Sequence, residues 1–143
     1  MNNFGAWWSD TITLYNRYED KTTNLVTWYR TVLTNCFWQN NFQLMKLGDV
    51  QLNSDSIICR IPVNKSYVPR SVWETNAGSG FTLSQGDIVI KGNVSDSIDE
   101  YTSGKRSSDL IEKYKWQGCM VIDKFSDNTG FGRGLPHYHI AGV

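Results

Sequence analysis

Two runs near the start of the chain alternate in polarity with the period of a β-strand. The first, residues 11–16, places Ile12 and Leu14 two positions apart between threonine and tyrosine residues. The second, residues 27–33, alternates in the same way, and a polar stretch at 17–24 joins the two runs. Because side chains two positions apart share one face of a strand, we expect two half-buried strands and a fold built from β-sheet.

Similar runs recur as far as the end of the chain. Between stretches that contain glycine or proline, further strands are predicted at 56–63, 87–91, 118–125 and 137–142. Segment 39–54 fits neither period cleanly, so we predict a loop with one short strand there. Residues 108–114 predict one short helix, with Asp109 capping its start and Glu112 completing a capping box. The predicted fold class is therefore all-β, a small barrel or sandwich of about six to eight short strands with long loops.

The chain divides into an arm and one domain. Its 143 residues suffice for a single domain with a sizeable core. We predict an N-terminal arm at 1–10 and one β-barrel domain at 11–143, in which the polar stretch 93–106 forms a long, mobile loop. The aromatic residues of the arm are expected to pack on their own domain or on a neighbour; they are Phe4, Trp7 and Trp8.

Composition excludes several classes of function. Lys plus Arg and Asp plus Glu number 14 each, so the net charge is zero, which argues against a nucleic-acid reader with a basic surface. A neutral protein suits life in an assembly, because it has little charge repulsion to keep copies apart. No secretion signal is evident, and no run approaches the roughly 20 apolar residues of a membrane helix. We therefore expect no membrane partner.

The three cysteines, Cys36, Cys59 and Cys119, each lie in an apolar run. They are widely spaced and form no Cys-x-x-Cys pair. We expect buried thiols in a reducing compartment, with a disulfide between two of them as the alternative.

The only two histidines, His137 and His139, share a face of the last predicted strand. Two imidazoles bind zinc when Asp, Glu or Cys supplies the remaining ligands, but no HExxH motif and no third ligand cluster accompanies this pair. Structural histidines near the rim of the sheet are the favoured interpretation, and a metal-dependent enzyme is the weaker one.

The glycine-rich stretch 130–134 is not flanked like a phosphate-binding loop, because a strand rather than a helix follows it. We predict a hairpin connection with Arg133 exposed at its tip.

The nearest approach to paired carboxylates is Asp99 with Glu100 and Asp87 with Asp96. Neither spacing indicates a glycosidase. We therefore predict no catalytic residue, no cofactor, no metal and no enzyme activity.

Six tryptophans are more than a small core needs: Trp7, Trp8, Trp28, Trp38, Trp73 and Trp116. We expect about four of them in the core and the others at an interface, where Trp and Tyr supply much of the binding energy. A carbohydrate-binding β-sandwich is an alternative function, in which Trp73, Trp116 and Tyr101 would stack on sugar rings.

Three segments of this chain resemble small virion-assembly proteins of tailed phages of Gram-positive bacteria. They are Asp-Thr-Ile-Thr-Leu-Tyr-Asn at 10–16, Trp-Tyr-Arg-Thr-Val-Leu at 28–33 and Leu-Pro-His-Tyr-His-Ile-Ala-Gly at 135–142. The order of features is similar to the head-closure, or head–tail joining, group of stopper-like proteins. In that group a strand pair is followed by a central strand, like 57–63, and by a Gly-Asp-Ile-Val-Ile strand, like 86–90. A last strand then closes a small β-barrel.

The resemblance implies a structural virion protein of the phage neck, present in the host cytoplasm during assembly. Copies would form a ring of roughly six or twelve between a portal or adaptor protein and a tail-tube or tail-completion protein, each copy meeting the next through two different faces. The ring would close the DNA channel, touch packaged DNA without sequence preference and offer the surface for tail attachment. The residues expected to contact partners are Phe4, Trp7, Trp8, Glu100, Tyr101, Lys105, Arg106 and Arg133.

Overall fold

The computed structural model describes residues 8–47, 50–101, 105–130 and 136–143, and for 41–47 and 50–55 it describes the backbone without the side chains. In chain order the strands are β1 (Asp10–Glu19), β2 (Val26–Leu47), β3 (Val50–Pro62), β4 (Ile88–Lys91), β5 (Cys119–Asn128) and β6 (His137–Gly142). They are antiparallel and close into a barrel in the order β1-β2-β3-β6-β5-β4. The predicted all-β fold is confirmed, and it is a barrel rather than a sandwich.

The inner faces of the strands form the main core of the barrel. Ile12 and Leu14 on β1 point inward, as do Met120 and Ile122 on β5, so the predicted alternation is confirmed on both strands. The buried members of this core are Ile12, Leu14, Leu33, Cys36, Trp38, Cys59, Ile61, Phe81, Leu83, Val89, Met120, Ile122, Tyr138 and Ile140. Branched and aromatic side chains at every second position fill a barrel of this size without leaving a channel.

A second core lies outside the barrel, on the outer face of β1, β4 and β5. Its buried residues are Tyr15, Ile88, Ile90, Val94 and Leu110. Val94 comes from the stretch after β4, and Leu110 comes from the helix α1 of residues Ser107–Tyr114. β1 is therefore buried on both faces, and the prediction that it is half-buried is wrong. Polar Thr13 is buried there because its hydroxyl donates to the Gly92 carbonyl at 2.7 Å.

The prediction of a loop at 39–54 is also wrong. β2 and β3 run through this segment as one long hairpin, in register from Phe37 opposite Arg60 to Leu47 opposite Val50. β1 stops pairing with β2 at Cys36, and β6 stops pairing with β3 at Ile57. Beyond these points no other described strand pairs with residues 41–47 and 50–56, which extend past the barrel as a two-stranded segment that we call the ribbon.

The long connection between β3 and β4 contains a helical turn that the sequence did not predict, Arg70–Trp73, followed by a 3-10 turn at Glu74–Asn76. Trp73 is 1% exposed. Its ring meets those of Tyr18 and Tyr29 edge-on at 6.0 and 5.7 Å, and the Arg70 guanidinium lies 5.1 Å from its centroid. Trp73 therefore anchors this connection to the barrel.

The predicted helix near 108–114 is confirmed as α1, which begins one residue earlier. Its predicted cap is wrong. Arg106 occupies the N-cap position in an extended conformation, and within the described residues no side chain caps the helix. Asp109 lies inside the first turn, where its amide donates to the Arg106 carbonyl at 3.1 Å. Its carboxylate still complements the positive end of the helix dipole from that position.

Candidate functional site

The stretch after β4 crosses the outer face of β2, and we call its residues 92–101 the strap. Two side chains of β2 hold it down. Arg30 donates to the Val94 carbonyl at 2.6 Å, and the Trp28 indole donates to the Glu100 carboxylate at 3.0 Å. Tyr15 on β1 donates its hydroxyl to the Asp96 carbonyl at 2.7 Å. The predicted loop lacks helix and strand, but in its described part it is bound to its own barrel rather than projecting from it.

Asp96 ties the strap to α1. Its carboxylate accepts hydrogen bonds from the Lys113 ammonium at 2.7 Å and from the Tyr114 hydroxyl. These two bonds, the one from Lys113 above all, lower the pKa of Asp96 below its usual value. Strap and helix therefore form one outer layer, joined by an ionised carboxylate at neutral pH.

The end of the strap carries two residues that were predicted to contact partners. Glu100 already accepts the Trp28 hydrogen bond. Tyr101 is 60% exposed, and its hydroxyl accepts the Val26 amide hydrogen. The chain then returns, and the Asp99 amide donates to the Lys105 carbonyl at 2.6 Å. Of these two residues, Tyr101 keeps an exposed ring face for a partner, whereas the carboxylate of Glu100 has an internal partner.

A polar groove of about 510 Å³ opens between the strap and α1. Lys105 and Arg106, both predicted to contact partners, lie exposed on its wall. Its full lining is Ser95, Asp96, Ser97, Lys105, Arg106, Asp109, Leu110 and Lys113. Because Asp96 neutralises Lys113, the exposed charges that remain on the groove are the cations of Lys105 and Arg106 and the carboxylate of Asp109. Carboxylates or phosphates on a neighbour would suit the two cations.

The described end of the predicted arm packs on its own domain. Asp10 is the first residue of β1, and its carboxylate accepts the Trp38 amide hydrogen at 3.0 Å. The Trp8 ring meets His137 edge-on at 5.7 Å and Phe37 at 6.3 Å. Phe4, Trp7 and Arg133, which were also predicted to contact partners, lie outside the described residues.

The two histidines lie beside an aromatic ring and a guanidinium. His137 contacts Trp8, and the ring centroids of His137 and His139 are 6.4 Å apart. Burial and the nearby Arg60 guanidinium lower the pKa of His139. Among the described residues, no group of three or more His, Cys, Asp and Glu side chains could hold a metal ion. The pair therefore belongs to the aromatic surface around Trp8.

The cysteines are free thiols, as predicted. Cys36 and Cys59 are buried in the barrel core, whereas Cys119 is only partly buried. A hydrogen bond with Cys36, followed by burial, raises the pKa of Cys59, and burial raises the pKa of Cys119 to about 11. The thiols of Cys59 and Cys119 are therefore poor nucleophiles at neutral pH.

The buried carboxylate of Asp87 joins β1 to the connection between β3 and β4. It accepts hydrogen bonds from the Asn16 amide group at 2.8 Å and from the Arg17 backbone amide at 3.0 Å. Arg70 lies 3.7 Å away and also donates to the Arg17 carbonyl at 2.7 Å. Burial raises the pKa of Asp87, and these hydrogen bonds oppose the rise. The cluster fastens the connection between β3 and β4 to β1, and Asp96 lies in a separate network.

Of two further features, Trp116 was predicted as a platform for sugar stacking, whereas the ribbon was not predicted. Trp116 is 91% exposed, and the Lys115 ammonium lies 5.6 Å from its ring centroid. The ribbon projects from the barrel end where β5 begins. The alternation of Met45, Leu47, Val50 and Leu52 was a signal for the ribbon, but polar residues on both sides of it hid the strand period.

No helix among the described residues is long and apolar enough to cross a membrane.

The fold and its surface define the class of protein. In its described residues it is a small closed β-barrel with an outer strap, two short helical segments and a projecting ribbon. Residues 8–143 match a family of unknown function (DUF6751), and the chain belongs to that family. No curated protein and no solved structure gives a significant match to the chain.

Proposed function

We propose that the chain is a structural protein of a tailed-phage neck, forming a ring between the portal or adaptor protein and the tail. One observation carries the proposal, namely the order in which the chain builds its barrel. An opening strand pair is followed by the central β3, by the short β4 after Gly86-Asp87, and by β6, which closes the barrel between β3 and β5. This is the order that the sequence resemblance implies for head-closure proteins.

The exposed end of the strap supplies the contact surface in this proposal. Lys105 and Arg106 face solvent on the groove wall, where they meet acidic side chains of a neighbour or the phosphates of packaged DNA. The rest of the strap is hydrogen-bonded to β1 and β2 and acts as a rigid support. Contact through two exposed cations weakens as salt rises, because counterions compete for them.

Inactivating the gene tests the neck role directly. We expect cells infected with the mutant phage to accumulate heads and free tails that do not join, as seen by electron microscopy. Supplying the wild-type protein from a plasmid restores joined, infectious particles. Normal particles from the mutant phage would contradict the neck role.

A charge reversal tests the strap end while leaving the fold intact. The double variant Lys105→Glu and Arg106→Glu is expected to lower the yield of infectious particles at least tenfold, because it presents repulsive charge to the partner. The matched control is Lys65→Glu with Lys124→Glu, which changes the net charge equally at two other exposed positions. Equal yields from the two double variants would overturn the assignment of this surface.

Carbohydrate binding is the second candidate function, and Trp116 is the observation that favours it. Its 91% exposed ring is available for stacking on a sugar. Trp73 is buried, so its predicted role as a sugar platform is wrong. A glycan array on the purified protein tests this candidate, with Trp116→Ala as the control. Binding that disappears in the variant would favour it over the neck role.

A further inference from the structure

The ribbon lacks support within its own chain. Its seven cross-strand pairs, from Asn41–Ser56 to Leu47–Val50, have no third strand beside them in the described part of the molecule. A two-stranded ribbon alone is marginally stable in water. Its outer edges also carry backbone groups that can pair with another strand. The ribbon is therefore expected to pack against another molecule.

The end of the ribbon has one apolar face. The register places Met45 opposite Leu52 and Leu47 opposite Val50. Residues two apart on a strand share a face, and directly opposed residues share it too. All four apolar positions therefore lie on one face of the tip, whereas Lys46 and Gln51 occupy the other. A patch of this kind on a projecting element is typical of a protein contact.

Two exposed apolar residues lie at the barrel end from which the ribbon projects. Trp116 is 91% and Val143 is 76% exposed. Both flank the start of β5, since Trp116 precedes that strand by three residues and the Val143 carbonyl accepts the Val121 amide hydrogen at 3.2 Å. The same barrel end holds the ribbon base, where Ile57 pairs with Gly142. We call Trp116 and Val143 the base patch.

We propose that the ribbon tip of one copy of this chain docks on the base patch of a second copy. At about 3.3 Å per residue, seven residues carry the tip about 23 Å beyond the barrel, out of reach of its own base patch. Two ribbons that lie side by side in opposite directions bring each tip to the other's base. The same tip-to-base contact can also repeat from copy to copy around a ring.

Charge favours a second copy over a charged partner. Within the ribbon only Lys46 and Asp55 are charged, and the whole chain has a net charge of zero, so copies do not repel one another. Because the ribbon carries one cation and one anion, a strongly acidic or basic partner would gain no net attraction from it. The inference goes beyond the neck role and does not depend on it.

Sedimentation velocity over a range of protein concentrations tests the contact. We expect the wild-type protein to associate with itself, and Leu52→Lys to shift the midpoint at least tenfold toward higher concentration. The matched control is Asn53→Lys, the same charge on the neighbouring residue and the opposite ribbon face, with a shift below twofold. Trp116→Ala is expected to weaken association as Leu52→Lys does. A wild-type protein that stays monomeric at millimolar concentration, or equal shifts for the two lysine variants, would overturn the proposal.

Cross-linking between isotopically labelled and unlabelled copies identifies the contact itself. An amine-reactive linker should join Lys46 on the ribbon of one copy to Lys115, beside Trp116, on the other. Mixed-isotope Lys46–Lys115 links that vanish in Leu52→Lys would support the proposal. Mixed links that avoid Lys46 would contradict it, whatever the particle experiments say about the neck.

Discussion

The two halves of β2 lie in contrasting surroundings. Residues 26–36 pair with β1 and, through Leu33 and Cys36, pack into the barrel core. Residues 41–47 have a described strand on one side only and extend beyond the barrel. One continuous strand therefore serves two purposes. Its first half contributes to the stability of the fold, and its second half presents backbone edges and apolar residues to another molecule.

The contrast predicts that stability is concentrated in the barrel and its outer layer. A change in either should lower the free energy of unfolding, because burial and hydrogen bonding are lost there. A change in the ribbon or the base patch should alter association and leave unfolding almost unchanged. The following experiments test whether stability is divided in this way.

The largest effect is expected at Trp73. Trp73→Ala removes a ring that packs against Tyr18, Tyr29 and Arg70, and should lower the free energy of unfolding by about 4 kcal/mol. Urea unfolding followed by circular dichroism measures it. Trp116→Ala is the matched control, because that ring is exposed, and it should change stability by less than about 0.5 kcal/mol. Similar losses for the two variants would break the division.

The next largest effect on the free energy of unfolding is expected at two buried threonines. Replacement by valine should destabilise the protein at one of them and not at the other. The Thr13 hydroxyl donates to the Gly92 carbonyl and accepts the Val94 amide hydrogen, so Thr13→Val should cost about 2 kcal/mol. The Thr82 hydroxyl is buried and has no hydrogen-bond partner among the described residues, so Thr82→Val should be neutral or stabilising by up to about 1 kcal/mol. The stabilities of the two variants are compared by their urea midpoints, provided that the unfolding free energy depends equally steeply on urea in both. A costly Thr82→Val would mean that its hydroxyl is bonded.

A smaller, pH-dependent effect is expected from Asp96. Its pKa is lowered on folding, so its contribution to stability is fully present above its unfolded pKa of about 3.9 and is lost as pH falls through the lower folded value. The difference in unfolding free energy between the wild-type protein and Asp96→Asn should therefore shrink as pH falls below about 4. The effect is modest, because Lys113 is exposed to water. A difference that stays constant from neutral to acid pH would show that the carboxylate does not hold the strap.

The smallest effect on stability is expected in the ribbon. Leu52→Lys should change the free energy of unfolding of the monomer by less than about 0.5 kcal/mol, because no described strand other than its hairpin partner pairs with this part of the ribbon. Urea unfolding at a concentration below the association midpoint measures it. A loss comparable to that of Trp73→Ala would place Leu52 in a core of its own chain and would remove the distinction between the two halves of β2.

Sequence patterns predicted the barrel well where one face of a strand is buried. Ile12 with Leu14, and Met120 with Ile122, alternate cleanly and point into the core. The prediction failed where polar residues line both faces of paired strands. Gln39, Asn40 and Asn41 break the period, although their backbones pair in register with β3. Backbone pairing does not depend on side-chain polarity. This part of the hairpin therefore lacks the alternation of apolar and polar residues by which a strand is predicted.

The candidate site was predicted only in part, for a similar reason. Lys105 and Arg106 were predicted to contact partners, and the structure places both on the groove wall. The internal bond of Glu100 to Trp28 joins residues 72 positions apart, which no local pattern reveals. The burial of Trp73 depends on Tyr18 and Tyr29 in the same way. Contacts between distant segments decide which polar or aromatic residues remain open to a partner.

The most direct test of the neck role is cross-linking mass spectrometry on purified phage particles. The proposal predicts links from this chain to a portal or adaptor protein on one side and to a tail protein on the other, with Lys105 among the linked residues. Links confined to the outer capsid shell, or absence of the chain from the particles, would contradict the neck role.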